Sequence, residues 1–109
     1  MYEATYEHYL GALVKDRKGE YIKLMGVAGL PDRMILLPGG KIIFVELKRD
    51  GKRPRENQKW WLRRLHELGF CSGWCDCYES IERLIDKVDK EGYGGRIEIQ
   101  TDNVPTESD

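Results

Sequence analysis

The chain has 109 residues, of which 40% are hydrophobic and 34% are charged, and its formal net charge is −1 at pH 7. A chain of this length buries one modest core, so we expect a single globular domain. No apolar run reaches the roughly 18–20 residues that a membrane span requires, and the N-terminal stretch lacks the basic and apolar regions of a secretory signal. We therefore expect a cytoplasmic protein that does not enter a membrane.

The first half of the chain predicts one helix followed by three strands. Residues 3–15 place Tyr6, Leu10 and Val14 on one helical stripe. Residues 21–27, 33–37 and 41–48 are rich in β-forming side chains. The Pro38-Gly39-Gly40 break joins the last two runs and predicts an antiparallel hairpin, in which we expect Leu37 to lie near Ile42.

The second half predicts a helix, a strand and a further helix. Pro54 suits the first turn of a helix that ends at Gly69, with Trp61, Leu62, Leu65 and Leu68 on its inner face. Residues 70–77 predict a strand and residues 78–91 a helix. The predicted fold is α/β, with the order α-β-β-β-α-β-α and a small mixed sheet flanked by helices. Residues 96–100 predict a short edge strand, and the acidic tail beyond them a frayed end.

The third predicted strand carries charge in an otherwise apolar run. Glu46 and Lys48 project to the same side of this strand, ~7 Å apart, whereas the alternate residues face the core. Hairpin pairing brings Asp32, at the start of the neighbouring strand, toward Glu46. Two carboxylates held close together repel each other unless a cation lies between them, and hard oxygen ligands favour Mg²⁺ or Mn²⁺. The alternative is a cross-strand Glu-Lys pair on a solvated sheet face.

The surrounding motif favours the metal site over the simple ion pair. Pro31-Asp32, a hairpin-length spacing and Glu46-Leu47-Lys48 together resemble the PD-(D/E)XK nuclease superfamily. The segments GLPDRMILLPGG, FVELK and RENQKWW are similar to the VRR-NUC family within that superfamily. This likeness extends from about residue 3 to residue 88, and we assign residues 1–95 to a single VRR-NUC-like nuclease domain and residues 96–109 to the edge strand or tail.

The resemblance implies a divalent-metal-dependent phosphodiesterase that acts on DNA. In that interpretation Asp32 and Glu46 are metal ligands together with the backbone carbonyl of Leu47, Lys48 is the catalytic lysine, and Gln58 is a supporting polar residue. Gln58 lies on the inward stripe of its helix, where its amide needs a partner: a metal-bound water, a phosphate oxygen or the backbone at the helix start.

The VRR-NUC pattern also implies a glutamate on the first helix. Glu3 and Glu7 are both available there, one turn apart on the same stripe. We prefer Glu7 because it lies on the Leu10 and Val14 stripe, which faces the sheet. The alternative for either residue is a solvated carboxylate favoured by the helix dipole.

A basic run follows the third strand and offers contacts to phosphate. The candidates for DNA binding are Arg49, Lys52, Arg53, Arg55 and Lys59. The alternative is a solvated charged loop. The three cysteines, with the spacing Cys71-x3-Cys75-x-Cys77, do not match a zinc knuckle and are expected to be buried thiols.

We therefore expect a structure-specific DNA endonuclease, with a four-way (Holliday) junction as a candidate substrate, as the resemblance implies for stand-alone members of the family. Paired cuts at such a branch need two sites, so we expect a homodimer. Trp60 or Trp74 would then supply apolar surface for the contact between subunits. The alternative function is a non-catalytic DNA-binding or protein-interaction module on a nuclease fold.

Overall fold

The computed structural model describes residues 3–91, with side chains described for residues 4–90. Within these residues the chain forms three helices and four strands in the predicted order. They are α1 (Glu3–Asp16), β1 (Glu20–Lys23), β2 (Arg33–Leu37), β3 (Lys41–Leu47), α2 (Glu56–Glu67), β4 (Cys71–Cys75) and α3 (Tyr78–Glu91). The predicted fold class is confirmed. The edge strand expected at residues 96–100, the acidic tail and the domain boundary at residue 95 lie outside the described residues.

The four strands form one mixed sheet in the spatial order β1-β2-β3-β4. Strand β2 is antiparallel to both of its neighbours, β1 and β3, whereas β3 and β4 are parallel. Parallel strands need a crossover connection, and α2 provides it between β3 and β4. The strand that carries Glu46 is therefore interior, with hydrogen-bonded neighbours on both sides.

The hairpin between β2 and β3 turns at the predicted Pro38-Gly39-Gly40 break. Leu37 pairs with Lys41, and Leu36 lies opposite Ile42. Gly39 and Gly40 adopt φ values of 91° and 78°, a left-handed conformation that costs glycine little. These two glycines let a three-residue loop, residues 38–40, make the turn.

The two faces of the sheet pack against different helices. On one face, alternate residues of β2 and β3 join α1 and α3 in the main hydrophobic core. That core includes Tyr6, Leu10, Val14, Ile35, Leu37, Ile43, Val45, Leu47, Ile81, Leu84, Ile85 and Val88. On the other face, α2 packs on β4, where Leu62 and Leu65 are buried and the Ser72 hydroxyl donates to the Leu62 carbonyl oxygen at 2.8 Å. Glu46 faces α2 because it alternates with the core residues Val45 and Leu47.

Three local predictions differ from the structure. Strand β1 ends at Lys23 rather than near residue 27, because β2, its pairing partner, begins at Arg33, which lies opposite Lys23. Pro54 precedes the N-cap Arg55 and is not in the first turn of α2. Leu68 is 54% exposed because α2 ends at Glu67 and Leu68 is the C-cap, beyond the inward stripe.

Candidate active site

The β2–β3 register places Asp32 and Glu46 at the same level of the sheet. Arg33 pairs with Val45. Asp32, which precedes Arg33, therefore faces Glu46, which follows Val45. The two carboxylates are close enough for the charge of Asp32 to raise the pKa of Glu46. The structure thus brings together the two residues that the sequence predicted as metal ligands.

Glu46 is a buried carboxylate, only 5% exposed. Burial, and then the neighbouring charge of Asp32, raise its pKa to about 7, while Lys48 opposes the rise. The Lys48 ammonium lies 3.5 Å from Oε2 of Glu46. A carboxyl group with this pKa is partly protonated at neutral pH. A cation placed between Asp32 and Glu46 would favour the ionised form of both.

Gln58 joins the start of α2 to this carboxylate. It is the third residue of the helix, and its Oε1 accepts a hydrogen bond from the backbone N–H of Arg55 at 2.8 Å. The Nε2 group then points to Glu46 and donates to Oε2 at 3.2 Å. The amide therefore both caps the helix and contacts the site: the backbone partner at the helix start was predicted, whereas the Glu46 carboxylate was not.

Arg33 lies behind Asp32 and is 1% exposed. Its Nη1 donates to the Asp32 carbonyl oxygen at 3.1 Å and lies 2.8 Å from Asp32 Oδ2. Its Nε donates to the Tyr21 hydroxyl at 2.5 Å, and its Nη2 is paired with the Glu7 carboxylate. Glu7, on α1, thus contacts the Arg33 guanidinium, and Arg33 in turn contacts Asp32. The side chain of Glu3, the alternative candidate, lies outside the described side chains.

The donor set fits a hard divalent cation that keeps most of its water. Among residues 3–91, no three His, Cys, Asp or Glu side chains converge as a metal-binding group. Mg²⁺ is commonly held by one or two carboxylates with water completing its shell. Asp32 and Glu46 provide two carboxylates, and Oδ1 of Asp32 is buried with no hydrogen-bond partner in the described structure. The side chain of Leu47 is in the core, so only its backbone carbonyl can contribute.

Four of the five predicted DNA-binding residues lie beside this site on the loop between β3 and α2, and the fifth, Lys59, lies on α2. Arg49, Lys52, Arg53 and Arg55 are exposed, whereas the Lys59 ammonium lies 3.6 Å from Glu56. Arg53 stacks over the Trp74 ring, with 5.7 Å between its guanidinium carbon and the ring centroid. Trp74 is the register partner of Glu46 in β4, so Arg53 lies over the strand next to the site.

The two tryptophans proposed for a subunit contact differ in exposure. Trp74 is only 7% exposed, because it lies inside the sheet face covered by α2 and Arg53, so its prediction as spare apolar surface was wrong. Trp60 is 53% exposed and meets Trp61 edge-on at 5.1 Å. A shallow groove beside Trp60 is lined by Arg63, Arg64 and Glu67.

The sequence did not identify Arg33 and Tyr21 as residues of the site, or Trp74 as the ring over which Arg53 stacks. A signal for Arg33 was present: it shares the inward parity of β2 with Ile35 and Leu37, and an arginine on a buried face needs anionic partners. No comparable signal identified Tyr21 or Trp74, whose partners are 12 and 21 residues away in the chain.

The fold and this site define a nuclease of the PD-(D/E)XK type. No family profile matches the chain. Over 69 residues the chain is 41% identical to "Putative nuclease p44" of Acyrthosiphon pisum secondary endosymbiont phage 1, covering 62% of this chain and 74% of that protein. A solved VRR_NUC domain matches with a TM-score of 0.72 and 26% identity, covering 77% of this chain and 94% of that one. The chain belongs to the VRR-NUC family of nucleases.

No helix within the described residues is long and apolar enough to cross a membrane.

Proposed function

We propose that this nuclease is a divalent-metal-dependent DNA endonuclease that hydrolyses phosphodiester bonds, with branched DNA as its substrate. The single observation that carries the proposal is the facing pair of carboxylates, Asp32 and Glu46, beside the Lys48 ammonium. Such a group leaves excess negative charge at one point of a buried sheet face. A divalent cation there would neutralise it and hold a phosphate in reach of the lysine.

The protein groups have separate roles in this proposal. When bound, Mg²⁺ or Mn²⁺ supplies positive charge beside the phosphodiester and acidifies water. Asp32, Glu46 and the Leu47 carbonyl would hold the ion. Lys48 has three N–H donors, of which one can stay on Glu46 while another orients the attacking water or contacts a phosphoryl oxygen. The oxygen of water bonds to phosphorus as the bond to the leaving oxygen breaks.

The loop between β3 and α2 would bind the DNA backbone. The loop extends from the end of β3 to the N-cap of α2, and its exposed cations are Arg49, Lys52, Arg53 and Arg55. Contacts to phosphate position the duplex without reading its sequence. Such binding suits an enzyme that recognises DNA shape. Lys59 would contribute less, because Glu56 already neutralises it in part.

Branched DNA, with a four-way (Holliday) junction as the specific candidate, requires two cuts related by symmetry. The described chain supplies one pair of facing carboxylates at the β2–β3 register. Two copies related by a two-fold axis would present two such sites. Trp60 supports this assembly, because an exposed tryptophan on a helix is apolar surface that a second subunit would cover.

One observation favours a second candidate, a DNA-binding module without catalysis. Both carboxylates already have cationic neighbours in the chain, since Arg33 pairs with Asp32 and Lys48 with Glu46. Each of the two carboxylates can therefore be held in the fold by a protein cation in the absence of a metal. On this alternative the basic loop binds DNA and the carboxylates serve only the fold.

The two candidates are separated by metal titration with two substrates, a supercoiled plasmid and a synthetic four-way junction. The proposed enzyme cuts only when Mg²⁺ or Mn²⁺ is added, and Asp32→Asn abolishes cutting while DNA binding persists. Asp16→Asn is the matched control, because Asp16 is an exposed carboxylate at the far end of α1. Binding without cutting at every metal concentration would favour the module.

A further inference from the structure

Arg33 is a buried cation that no step of the proposed reaction uses. We propose that Arg33 is a positioning residue that turns one oxygen of Asp32 toward the metal, and that Glu7 acts on the site only through Arg33. This inference rests on the proposed function, since it assumes that Asp32 holds a cation. It concerns residues behind the ligand rather than the ligand itself.

The contacts of Arg33 fix Asp32 at two points. One nitrogen, Nη1, bonds the Asp32 carbonyl oxygen at 3.1 Å and pairs with the carboxylate oxygen Oδ2 at 2.8 Å. Because Nη1 contacts both the backbone and the side chain of Asp32, the Asp32 side chain cannot rotate freely. Because Oδ2 is taken, the other oxygen, Oδ1, is left to face the site.

The state of Oδ1 agrees with this assignment. It is buried and has no hydrogen-bond partner within the described part of the chain. A buried carboxylate oxygen without a donor is costly, so its orientation needs a compensating group. A cation beside Glu46 would be that group, and Arg33 would prevent Oδ1 from turning away before the cation binds.

Glu7 and Tyr21 hold the opposite side of the guanidinium. Nε donates to the Tyr21 hydroxyl at 2.5 Å, and Nη2 pairs with Glu7 from α1. A buried charge that loses its partner destabilises the fold strongly. Glu7 is therefore the counterion that allows Arg33 to stay buried behind Asp32. Its carboxylate is engaged there, which makes it a positioning residue rather than a group that touches the reacting atoms.

The test measures Mn²⁺ affinity of the full chain without DNA, by electron paramagnetic resonance of the free ion. Arg33→Met combined with Glu7→Gln removes one positive and one negative charge, so the net charge behind the site is unchanged. We expect Mn²⁺ binding about 10–100-fold weaker, the usual effect of losing a group that orients a metal ligand. The matched control is Arg17→Met with Asp86→Asn, a charge-neutral loss of the ion pair between the turn after α1 and helix α3, which should bind Mn²⁺ as the unmodified chain does.

Two single variants complete the test. Arg33→Lys keeps the positive charge, so the chain can still fold. One ammonium cannot reproduce the contacts that the planar guanidinium makes with Asp32, Glu7 and Tyr21, so Mn²⁺ affinity should also fall. Glu7→Gln retains an oxygen that can accept from Nη2 but removes the counterion charge, so stability should fall while the Mn²⁺ affinity of the folded protein stays close to that of the unmodified protein. Unchanged affinity in Arg33→Lys, or a loss in Glu7→Gln as large as in Asp32→Asn, would overturn the inference. Mn²⁺ affinity that is unaffected by Asp32→Asn would instead remove the proposed metal site.

Discussion

Gln58 and Glu46 are joined by a hydrogen bond of 3.2 Å between the amide Nε2 and the carboxylate Oε2. The same amide accepts the backbone N–H of Arg55 at 2.8 Å, so one side chain links the central strand to the first turn of α2. The orientation of the amide is set by the helix cap. Glu46 thus receives a donor whose position is fixed by backbone structure.

Replacing Gln58 should separate these two contributions. Gln58→Ala removes both bonds, and we expect a stability loss of about 1 kcal/mol together with slower cleavage. Gln58→Glu keeps an oxygen to accept from Arg55 but cannot donate to Glu46 when ionised. It should retain more of the helix cap than Gln58→Ala while still cleaving slowly. Denaturant unfolding and single-turnover cleavage measure the two effects, and normal cleavage by both variants would contradict a role at the site.

The raised pKa of Glu46 predicts how the stability of the metal-free protein depends on pH. A glutamate in the unfolded chain titrates near 4.5, and Glu46 in the folded protein near 7, so the folded state binds more protons between these values. Stability from this group is therefore fully present below pH 4.5 and is lost as the pH rises to 7. The loss should amount to about 3 kcal/mol.

The measurement is the free energy of unfolding across this pH range, with a chelator present, for the unmodified chain and for Glu46→Gln. The variant cannot titrate at this position, so subtracting its pH profile isolates Glu46. Parallel profiles for the two proteins would show that Glu46 titrates normally in the fold.

The basic loop should set the salt dependence of DNA binding. Replacing Arg53 and Arg55 with Ala removes two exposed cations, so the slope of log affinity against log salt should become shallower by about 2. The affinity should fall on every DNA sequence alike. A fluorescence-anisotropy salt titration measures the slope, and an unchanged slope would exclude these arginines from the interface.

Arg53 should matter more for cleavage than its neighbour Lys52. Both are exposed cations of one loop, but Arg53 is held over the Trp74 ring, next to the strand of Glu46. Arg53→Ala should therefore lower the single-turnover rate with bound DNA, whereas Lys52→Ala should mainly weaken binding. Equal rates for these two variants at saturating protein would count against a role for Arg53 in cleavage beyond binding DNA.

Trp60 should control assembly if the nuclease works as a pair of subunits. We expect a homodimer at micromolar concentration by light scattering, and Trp60→Ala should shift it toward monomer and impair paired incision of a junction more than single nicking. Leu68→Ala is the matched control, since Leu68 is also exposed at the end of α2. A monomeric unmodified protein that still cuts both strands would end the dimer proposal and leave the nuclease assignment intact.

The fold was largely predictable because local signals agree with the tertiary structure. The bounds of β2 and α3 match the predicted residues 33–37 and 78–91, since each has strong periodicity and glycine, proline or polar residues at its ends. The end of β1 was not predictable from its own residues, because it depends on where β2 begins. The hairpin register depended on the conformations of Gly39 and Gly40, which sequence permits but does not fix.

The site was predictable where its residues lie close in the chain. Asp32, Glu46, Lys48 and Gln58 lie on one hairpin and the helix after it, so spacing and parity bring them together. The position of Glu7 was less accessible, because Glu7 lies on α1, outside this hairpin, and its partner Arg33 is on another layer of the fold. The burial of Trp74 depends likewise on Arg53 and α2, which no pattern within β4 reveals.

The interior position of β3 has a consequence for the order in which the molecule opens. Its backbone is bonded to β2 on one side and β4 on the other, and its inward side chains are fully buried. In native-state hydrogen exchange, the amides of such a strand exchange only through global unfolding, whereas edges and loops exchange through local openings. Glu46 therefore belongs to the last part of the protein to open, and adjustment to a DNA substrate falls to the loop after Lys48 and to the β1 edge.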